Sequence, residues 1–301
     1  MPTAWRNVAL LLLLGTLWGG QSPMIKEAVQ TLSPGVVAAG RLATAALVLL
    51  VIAHLRGLPL RAALRAPAAW RAVAPIAFFS YLIPTLFIAY GQQHIDSGLT
   101  AIVLGSVPLF TAMFSFLVFR RERFDAWTGV GLAVGFVGIV LLAGPAVAMP
   151  EDAVAVGLAL VFASALSYAF ANMLMRRANA YDPVVSSVIV LVLATAGLAP
   201  VALYDGAPMA VEPSTASILA VLALGAFSTG WGSYIFFTLA GRVGPTLLST
   251  VNYVTPVVGV ALGAAWHAEV LDTSAFAGLA TILAGVAATS YGRARAAKPS
   301  P

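Results

Sequence analysis

Polar and aromatic residues recur inside the long apolar stretches of this chain, several of them at spacings that put two side chains on one helix face. Amides are costly in hydrocarbon without a partner, so these side chains should point inward. They predict a neutral, aromatic-lined pocket that binds planar or apolar zwitterions by ring stacking, or a lipophilic cation by cation–π attraction. Hydrogen bonding between helices is the alternative. The residues are Trp18, Gln21, Tyr81, Ser106, Tyr168, Asn172, Trp231, Tyr234, Asn252 and Tyr253.

Arg41 is the only basic residue that lies clearly inside a predicted apolar helix. Its depth from the nearer helix end is about 10 Å at 1.5 Å per residue. A charge at that depth indicates a function or a partner. Two interpretations stay open: Arg41 attracts a substrate carboxylate, or it is structural and caps carbonyls or pairs with Glu27 or another acid.

Three prolines, Pro84, Pro108 and Pro256, are predicted near the middle of apolar helices. A proline removes one backbone hydrogen bond and clashes with the carbonyl four residues back, so each should kink its helix. A carbonyl freed in this way can face a cavity. The prolines therefore either shape or hinge a cavity, or they serve packing alone.

Composition predicts that these residues lie in a membrane. The chain is 60% hydrophobic and 9% charged, whereas soluble domains average about 25% charged residues. Apolar runs of about 20 residues, long enough to cross a bilayer, recur along the whole length. We predict an all-α polytopic membrane protein whose partner is the lipid bilayer. The net charge of +5 comes from basic residues spread over short loops, which does not indicate nucleic-acid binding.

Turn and charge signals divide the chain into ten predicted transmembrane helices. They are, roughly, 7–26, 34–55, 70–91, 97–119, 126–145, 153–175, 183–203, 214–240, 245–266 and 273–291. Most of the 16 basic residues fall on one side of this arrangement, and most acidic residues fall on the other. Short loops rich in Lys and Arg stay in the cytoplasm. We therefore predict a multi-pass protein of the cell's inner (plasma) membrane with both termini cytoplasmic.

Residues 97–149 and 245–297 look like two copies of one passage. Each copy has a helix proline, an acid at a helix end, a second acid three residues on, and two glycines seven residues apart. The matched pairs are Pro108 and Pro256, Glu122 and Glu269, Asp125 and Asp272, Gly131 and Gly278, and Gly138 and Gly285. Five helices per copy is an odd number, so the second copy is predicted to be inverted. This gives two inverted five-helix repeats, 1–149 and 150–301, with a site at their interface.

The pattern of Pro108, Phe119-Arg120-Arg121-Glu122, Gly131 and Gly138, with its echo in the second copy, resembles the EamA branch of the drug/metabolite transporter superfamily. Trp18-Gly19-Gly20 and Arg41 also fit that family. The resemblance covers essentially the whole chain. It implies ten helices, cytoplasmic termini and export of small metabolites, and within the branch the chain is most similar to aromatic-amino-acid exporters. One departure is His267-Ala268, which stands where a basic residue commonly precedes the glutamate.

The sequence predicts no catalytic residue, no metal site and no cofactor. It has no cysteine, no glycine-rich phosphate-binding loop, and no His and acid cluster or Ser–His pair at one depth. No Asp or Glu lies near the centre of a predicted helix, so the usual carboxylate proton relay is missing. We predict that the protein is not an enzyme, and the sequence leaves both facilitated exchange and proton antiport open.

These features together predict a secondary transporter that exports small metabolites, foremost aromatic or apolar amino acids, by alternating access at a central site. One alternative is a multidrug or quaternary-cation exporter, which a membrane-embedded Glu would favour. Another is a membrane enzyme or receptor, which catalytic dyads or a large extramembrane domain would favour. Glycines of the fifth and tenth predicted helices either pack those helices together in one protomer or form the face of a homodimer.

Overall fold

The computed structural model describes residues 2–118, 126–148, 152–174, 182–205, 212–240, 242 and 251–296, and the regular elements in those ranges are helical. Glu122 and Asp125 lie outside the described residues. The α-helices are α1 (Pro2–Gly19), α2 (Gln21–Ala28), α3 (Pro34–Leu55), α4 (Leu60–Leu64), α5 (Pro67–Ala77), α6 (Ile83–Gly91), α7 (Ser97–Leu104), α8 (Val107–Leu117), α9 (Ala126–Ala148), α10 (Asp152–Leu174), α11 (Pro183–Asp205), α12 (Thr215–Ala223), α13 (Gly232–Ala240), α14 (Val251–His267) and α15 (Thr273–Ala296). Two π-helical segments, π1 (Phe78–Leu82) and π2 (Leu224–Trp231), lie between α5 and α6 and between α12 and α13.

Eight helical stretches of the described chain are long and apolar enough to cross a bilayer, by length and composition. They are Trp5–Ala28, Pro34–Leu55, Pro67–Gly91, Ser97–Leu117, Asp152–Leu174, Pro183–Asp205, Thr215–Phe236 and Thr273–Gly292. A shorter apolar helix covers Ala126–Leu142, and the 17 residues of α14 begin where the described chain resumes. The predicted all-helical, polytopic membrane protein is confirmed. The count of ten helices and the inversion of the second half stay predictions.

Several of these stretches are interrupted helices. Pro84 and Pro108 occupy the first turns of α6 and α8, where the missing proline N–H costs little because it has no helical acceptor. They therefore begin new helical segments, and π1 ends at Leu82, two residues before Pro84. Pro256, by contrast, lies inside the continuous helix α14. Within the described ranges, the membrane-spanning helices are interrupted by breaks before Gln21 and Val107 and by the two π-helical segments.

The glycines of the two sequence copies meet where α9 packs against α15. A Cβ built on Gly131 would lie 2.7 Å from the carbonyl oxygen of Gly285, and one built on Gly138 would lie 2.9 Å from that of Gly278. The first glycine of each copy therefore contacts the second glycine of the other. That reciprocity is the pattern of two surfaces related by a two-fold axis. These glycines pack the two helices together inside one protomer.

The largest cluster of buried apolar residues lies between α3, α5 and α11, and it includes Leu42, Leu49 and Leu191. Alanines on α3, such as Ala38 and Ala45, let that helix approach its neighbours closely. Arg41 is the one charged residue among the buried residues of α3. The helix packing therefore holds a cation next to the apolar core, and the side chains around that cation form the candidate site.

Candidate functional site

Arg41 lies at the point where several membrane-spanning helices converge. Its side chain is 6% exposed. The Nε–H donates to Thr229 Oγ1 at 2.8 Å, and Nη2 donates to Gln21 Oε1 at 2.6 Å. Nη1 is buried and has no hydrogen-bond partner. The guanidinium is thus held by two neutral side chains, one from α2 and one from π2.

Two phenols complete the surroundings of Arg41. The phenols of Tyr168 and Tyr81 lie within electrostatic range of the guanidinium. The Tyr81 side chain also hydrogen-bonds with Ser233. The structure therefore brings together four of the residues that the sequence predicted for the pocket or its charge, namely Gln21, Arg41, Tyr81 and Tyr168. They come from α2, α3, π1 and α10.

Sequence reasoning missed Thr229 and Ser233. Both hydroxyls face this cluster from the end of π2 and the start of α13, and both are buried. Their spacing of four residues places them on one face of a regular helix, and that spacing is the signal that could have found them. Hydroxyl residues are common in membrane helices, where they often bond to their own backbone. Residue type alone therefore did not separate these two from the others.

Trp18 lies next to the cluster through π2. Its indole Nε1–H donates to the carbonyl oxygen of Ser228 at 3.1 Å, and Ser228 Oγ donates back to the carbonyl of Leu17 at 2.8 Å. The indole also packs on Phe236, with ring centroids 5.5 Å apart. A Cβ built on Gly232 would lie 2.8 Å from the indole nitrogen, so glycine at that position lets the ring approach. Trp18 is therefore fixed against the helix that supplies Thr229.

Trp231 and Tyr234 pair with each other instead of with Arg41. Their rings meet edge to face with centroids 5.7 Å apart, and Trp231 is 45% exposed. The guanidinium carbon of Arg56 lies 6.0 Å from the Tyr234 ring centroid. Arg56 directly follows the last residue of α3, so this aromatic pair is directed toward the other end of α3 from the Arg41 cluster.

The remaining predicted pocket residues make separate local contacts. Ser106 is fully buried and donates to the carbonyl of Val103 at 2.5 Å. Asn172 is exposed and its Nδ2 donates to Thr111 Oγ1 at 3.2 Å. The Tyr253 hydroxyl donates to Ser290 Oγ at 3.3 Å.

Two residues of α14 lie near these contacts. Asn252 is partly buried. Pro256 lies against the break that precedes α8, because a Cβ built on Gly105 would be 3.3 Å from Pro256 Cγ. The predicted pocket residues thus form the cluster around Arg41 and several smaller groups.

A second polar group joins helix ends on the side that the charge pattern predicts to be external. Lys26 Nζ donates to the carbonyl oxygens of Gln92 and Ile95 at 3.0 and 2.9 Å. The Glu269 carboxylate accepts the backbone N–H groups of Ser97 and Gly98, each at 2.8 Å. His267 Nε2 lies 2.9 Å from the Pro23 carbonyl oxygen.

Asp96 lies beside this group. Burial and the neighbouring Glu269 carboxylate raise the pKa of Asp96, while Lys26 and His267 act in the opposite direction. The polar contacts tie α2, the loop before α7, and the end of α14 together at one membrane face.

In the described part of the chain, no group of three or more His, Asp or Glu side chains is arranged to hold a metal ion. The site that the structure builds is instead one guanidinium surrounded by an amide, hydroxyls and aromatic rings. Such a set can bind an organic molecule by hydrogen bonds, charge and ring contact.

Known proteins resemble this chain over nearly all of its length. The model of the EamA-like transporter family matches residues 5–144 and 155–291. The inner membrane transporter YedA of Escherichia coli (strain K12) is 28% identical, with 94% of this chain and 90% of YedA covered. A transporter of Archaeoglobus fulgidus is 26% identical, with 92% and 96% covered. One crystal structure, 21% identical, superposes with a TM-score of 0.67 over 97% of this chain and 99% of its own, and shares the fold.

Proposed function

This chain belongs to the EamA-like transporter family, and we propose that it is a secondary transporter that exports aromatic or apolar amino acids. The observation that carries the proposal is the cluster around Arg41. Side chains from α2, α3, π1, α10 and π2 converge there inside the membrane-spanning region. Aromatic rings beside amide and hydroxyl groups suit a small molecule that has an apolar body and polar ends.

Transport would proceed by alternating access between two inverted five-helix repeats, 1–149 and 150–301. The reciprocal contacts of Gly131 with Gly285 and of Gly138 with Gly278 support that arrangement, because repeats related by a pseudo-two-fold axis make such contacts. The helix breaks at Pro84 and Pro108 would act as hinges, and Pro256 packs against one of them. The contacts of Lys26, Glu269 and His267 would close the external side in this conformation.

The protein would lie in the cell's inner membrane with both termini in the cytoplasm. Support for that orientation is the positive charge of the loops predicted to be cytoplasmic. The positive charge of Arg41 disfavours the alternative of a quaternary-cation exporter. A cation in the same cluster would meet a guanidinium that has no carboxylate beside it in the described part of the chain.

Uptake of labelled phenylalanine or tryptophan into proteoliposomes tests this proposal. Uptake that equilibrates without a pH gradient indicates a facilitator, and uptake that needs the gradient indicates proton coupling. No uptake of either amino acid by folded protein, with or without the gradient, would overturn the proposal. Trp18→Ala should reduce uptake, whereas Trp127→Ala should not, because Trp127 is 45% exposed and contacts Tyr291 edge to face, away from the cluster.

A further inference from the structure

We infer that Arg41 is the receptor for a carboxylate on the transported molecule. The inference rests on the proposed transport function and names the chemical group that the site selects. Arg41 is only 6% exposed. Its two hydrogen-bond acceptors, Gln21 and Thr229, are both neutral.

No carboxylate of the described residues neutralises this guanidinium. Glu27, the acid predicted as a possible partner, makes no ion pair with Arg41, and the titratable groups within electrostatic range of Arg41 are two phenols. Buried charges in proteins are normally paired because an unpaired one loses its hydration without compensation. The site is therefore short of one negative charge, and a bound anion would supply it.

The geometry of the guanidinium leaves room in its hydrogen-bond capacity for such a group. Thr229 accepts a hydrogen bond from Nε and Gln21 accepts one from Nη2. The two N–H groups of Nη1 have no acceptor. A guanidinium binds a carboxylate with two parallel N–H groups that belong to two different nitrogens, and Nη1 can supply one of them. Arg41 is thus fixed in place by two neutral contacts while its terminal nitrogen stays available.

Nη1 is shielded from solvent in this conformation, so an anion reaches it only when the surrounding helices separate. Alternating access provides that separation. Once the carboxylate is bound, the rings of Tyr81 and Tyr168 would lie beside the apolar body of the same molecule. The selected class is therefore a small organic acid or zwitterion, and amines without a carboxylate are excluded.

Three related probes test this selection on the purified, full-length protein in detergent. They are phenylalanine, 3-phenylpropionate, which lacks the amine, and 2-phenylethylamine, which lacks the carboxylate. Binding is measured by tryptophan fluorescence, since Trp18 adjoins the cluster, and by ligand-induced thermal stabilisation. The two carboxylates should bind, and 2-phenylethylamine should bind at least about 30-fold more weakly, the loss expected when one partner of a buried charge pair is missing. Equal binding of the amine would overturn the inference without any variant.

Variants of Arg41 test whether this residue binds the carboxylate. Arg41→Gln should weaken binding of both carboxylates by about 30-fold or more, with Arg41→Lys in between. It should not weaken binding of 2-phenylethylamine, because the guanidinium repels that cation. Arg71→Gln is the matched control, because Arg71 is an exposed arginine on α5. Unchanged carboxylate affinity in Arg41→Gln would overturn the inference. If that variant does not fold, the three probes on the unaltered protein decide the question.

The two proposals fail in different ways. Binding of 3-phenylpropionate without phenylalanine uptake would leave the carboxylate receptor standing and overturn amino-acid export. Phenylalanine uptake that is equal in Arg41→Gln and the unaltered protein would leave export standing and overturn the receptor. If the unaltered protein binds neither carboxylate, the receptor is overturned as well.

Discussion

The Glu269 carboxylate accepts the backbone N–H of Gly98 at 2.8 Å, across 171 residues of sequence. Its other oxygen accepts the N–H of Ser97 at 2.8 Å. Glu269 therefore caps the positive end of α7 from a distant helix end, a place where a negative charge is stabilising. Asp96, the residue at the N-cap position of α7, makes no side-chain capping bond.

Replacement of Glu269 by alanine should destabilise the protein. Both capped N–H groups belong to buried residues, and a buried donor left without a partner costs about 1–3 kcal/mol. Thermal unfolding in detergent measures the effect. Glu269→Gln keeps an acceptor oxygen, so its unfolding temperature should lie between those of the alanine variant and the unaltered protein. An alanine variant that unfolds at the temperature of the unaltered protein would show that the cap contributes nothing.

The Asp96 carboxylate beside this cap should destabilise the protein, whereas the Glu269 carboxylate stabilises it. Burial and the Glu269 carboxylate raise the pKa of Asp96 above its ordinary value of 3.8, so folding disfavours the ionised form. The penalty is present above the raised pKa and disappears as the pH falls toward 3.8 and below. Asp96→Asn should therefore be more stable than the unaltered protein at neutral pH, and this difference should shrink on acidification.

The unfolding temperatures of Asp96→Asn and the unaltered protein, measured between pH 7 and pH 4, test the direction of this effect. A stability difference that stays constant with pH would mean that the charge of Asp96 is not its cause. An asparagine variant that is less stable at neutral pH would mean that Asp96 stabilises the fold through its interaction with Lys26.

The helix pair α9 and α15 should tolerate no side chain at its glycines. A Cβ on Gly285 would lie 2.5 Å from the backbone nitrogen of Gly135 and 2.6 Å from the carbonyl oxygen of Gly131. Backbone cannot move aside as a flexible side chain can, so Gly285→Ala should cost about 1–3 kcal/mol, the usual range for overpacking. Ala284→Leu, on the exposed face of the same helix, is the control and should change the unfolding temperature little. Equal effects of the two substitutions would contradict the close approach.

Much of the Arg41 cluster was predictable from residue type. An amide, a guanidinium or a phenol inside an apolar helix has to find partners, and therefore Gln21, Arg41 and Tyr168 point inward. Their partners were not predictable, because Thr229 is 188 residues from Arg41 in sequence and local patterns carry no information on such pairs. The duplicated glycines were visible in the sequence, whereas their packing inside the protomer needed the structure.

The pocket role of Trp231 and Tyr234 stays a prediction, and it assumed a regular helix, whereas the structure has a π-helical segment that ends at Trp231. A π-helical turn contains more residues than an α-helical turn, so the face expected from a period of 3.6 residues rotates. Hydrophobic periodicity reports the mean twist of a helix and does not register such a local change. The prolines predicted kinks at Pro84 and Pro108, whereas the structure begins new helical segments there.

The absence of native cysteine permits a direct test of alternating access. Thr31, in the loop after α2, donates its hydroxyl to Ser217 Oγ at 2.8 Å, and Ser217 lies in the first turn of α12. The two side chains point at each other across the two halves of the chain, which is the approach that a disulfide requires. If these halves separate at the predicted external side during each cycle, a Thr31→Cys/Ser217→Cys disulfide should stop amino-acid uptake into proteoliposomes, and a reductant should restore it. Each single cysteine variant, treated with the same oxidant, should transport as well as it does untreated. Full uptake by the double variant with its disulfide intact would show that the two halves need not separate at this point.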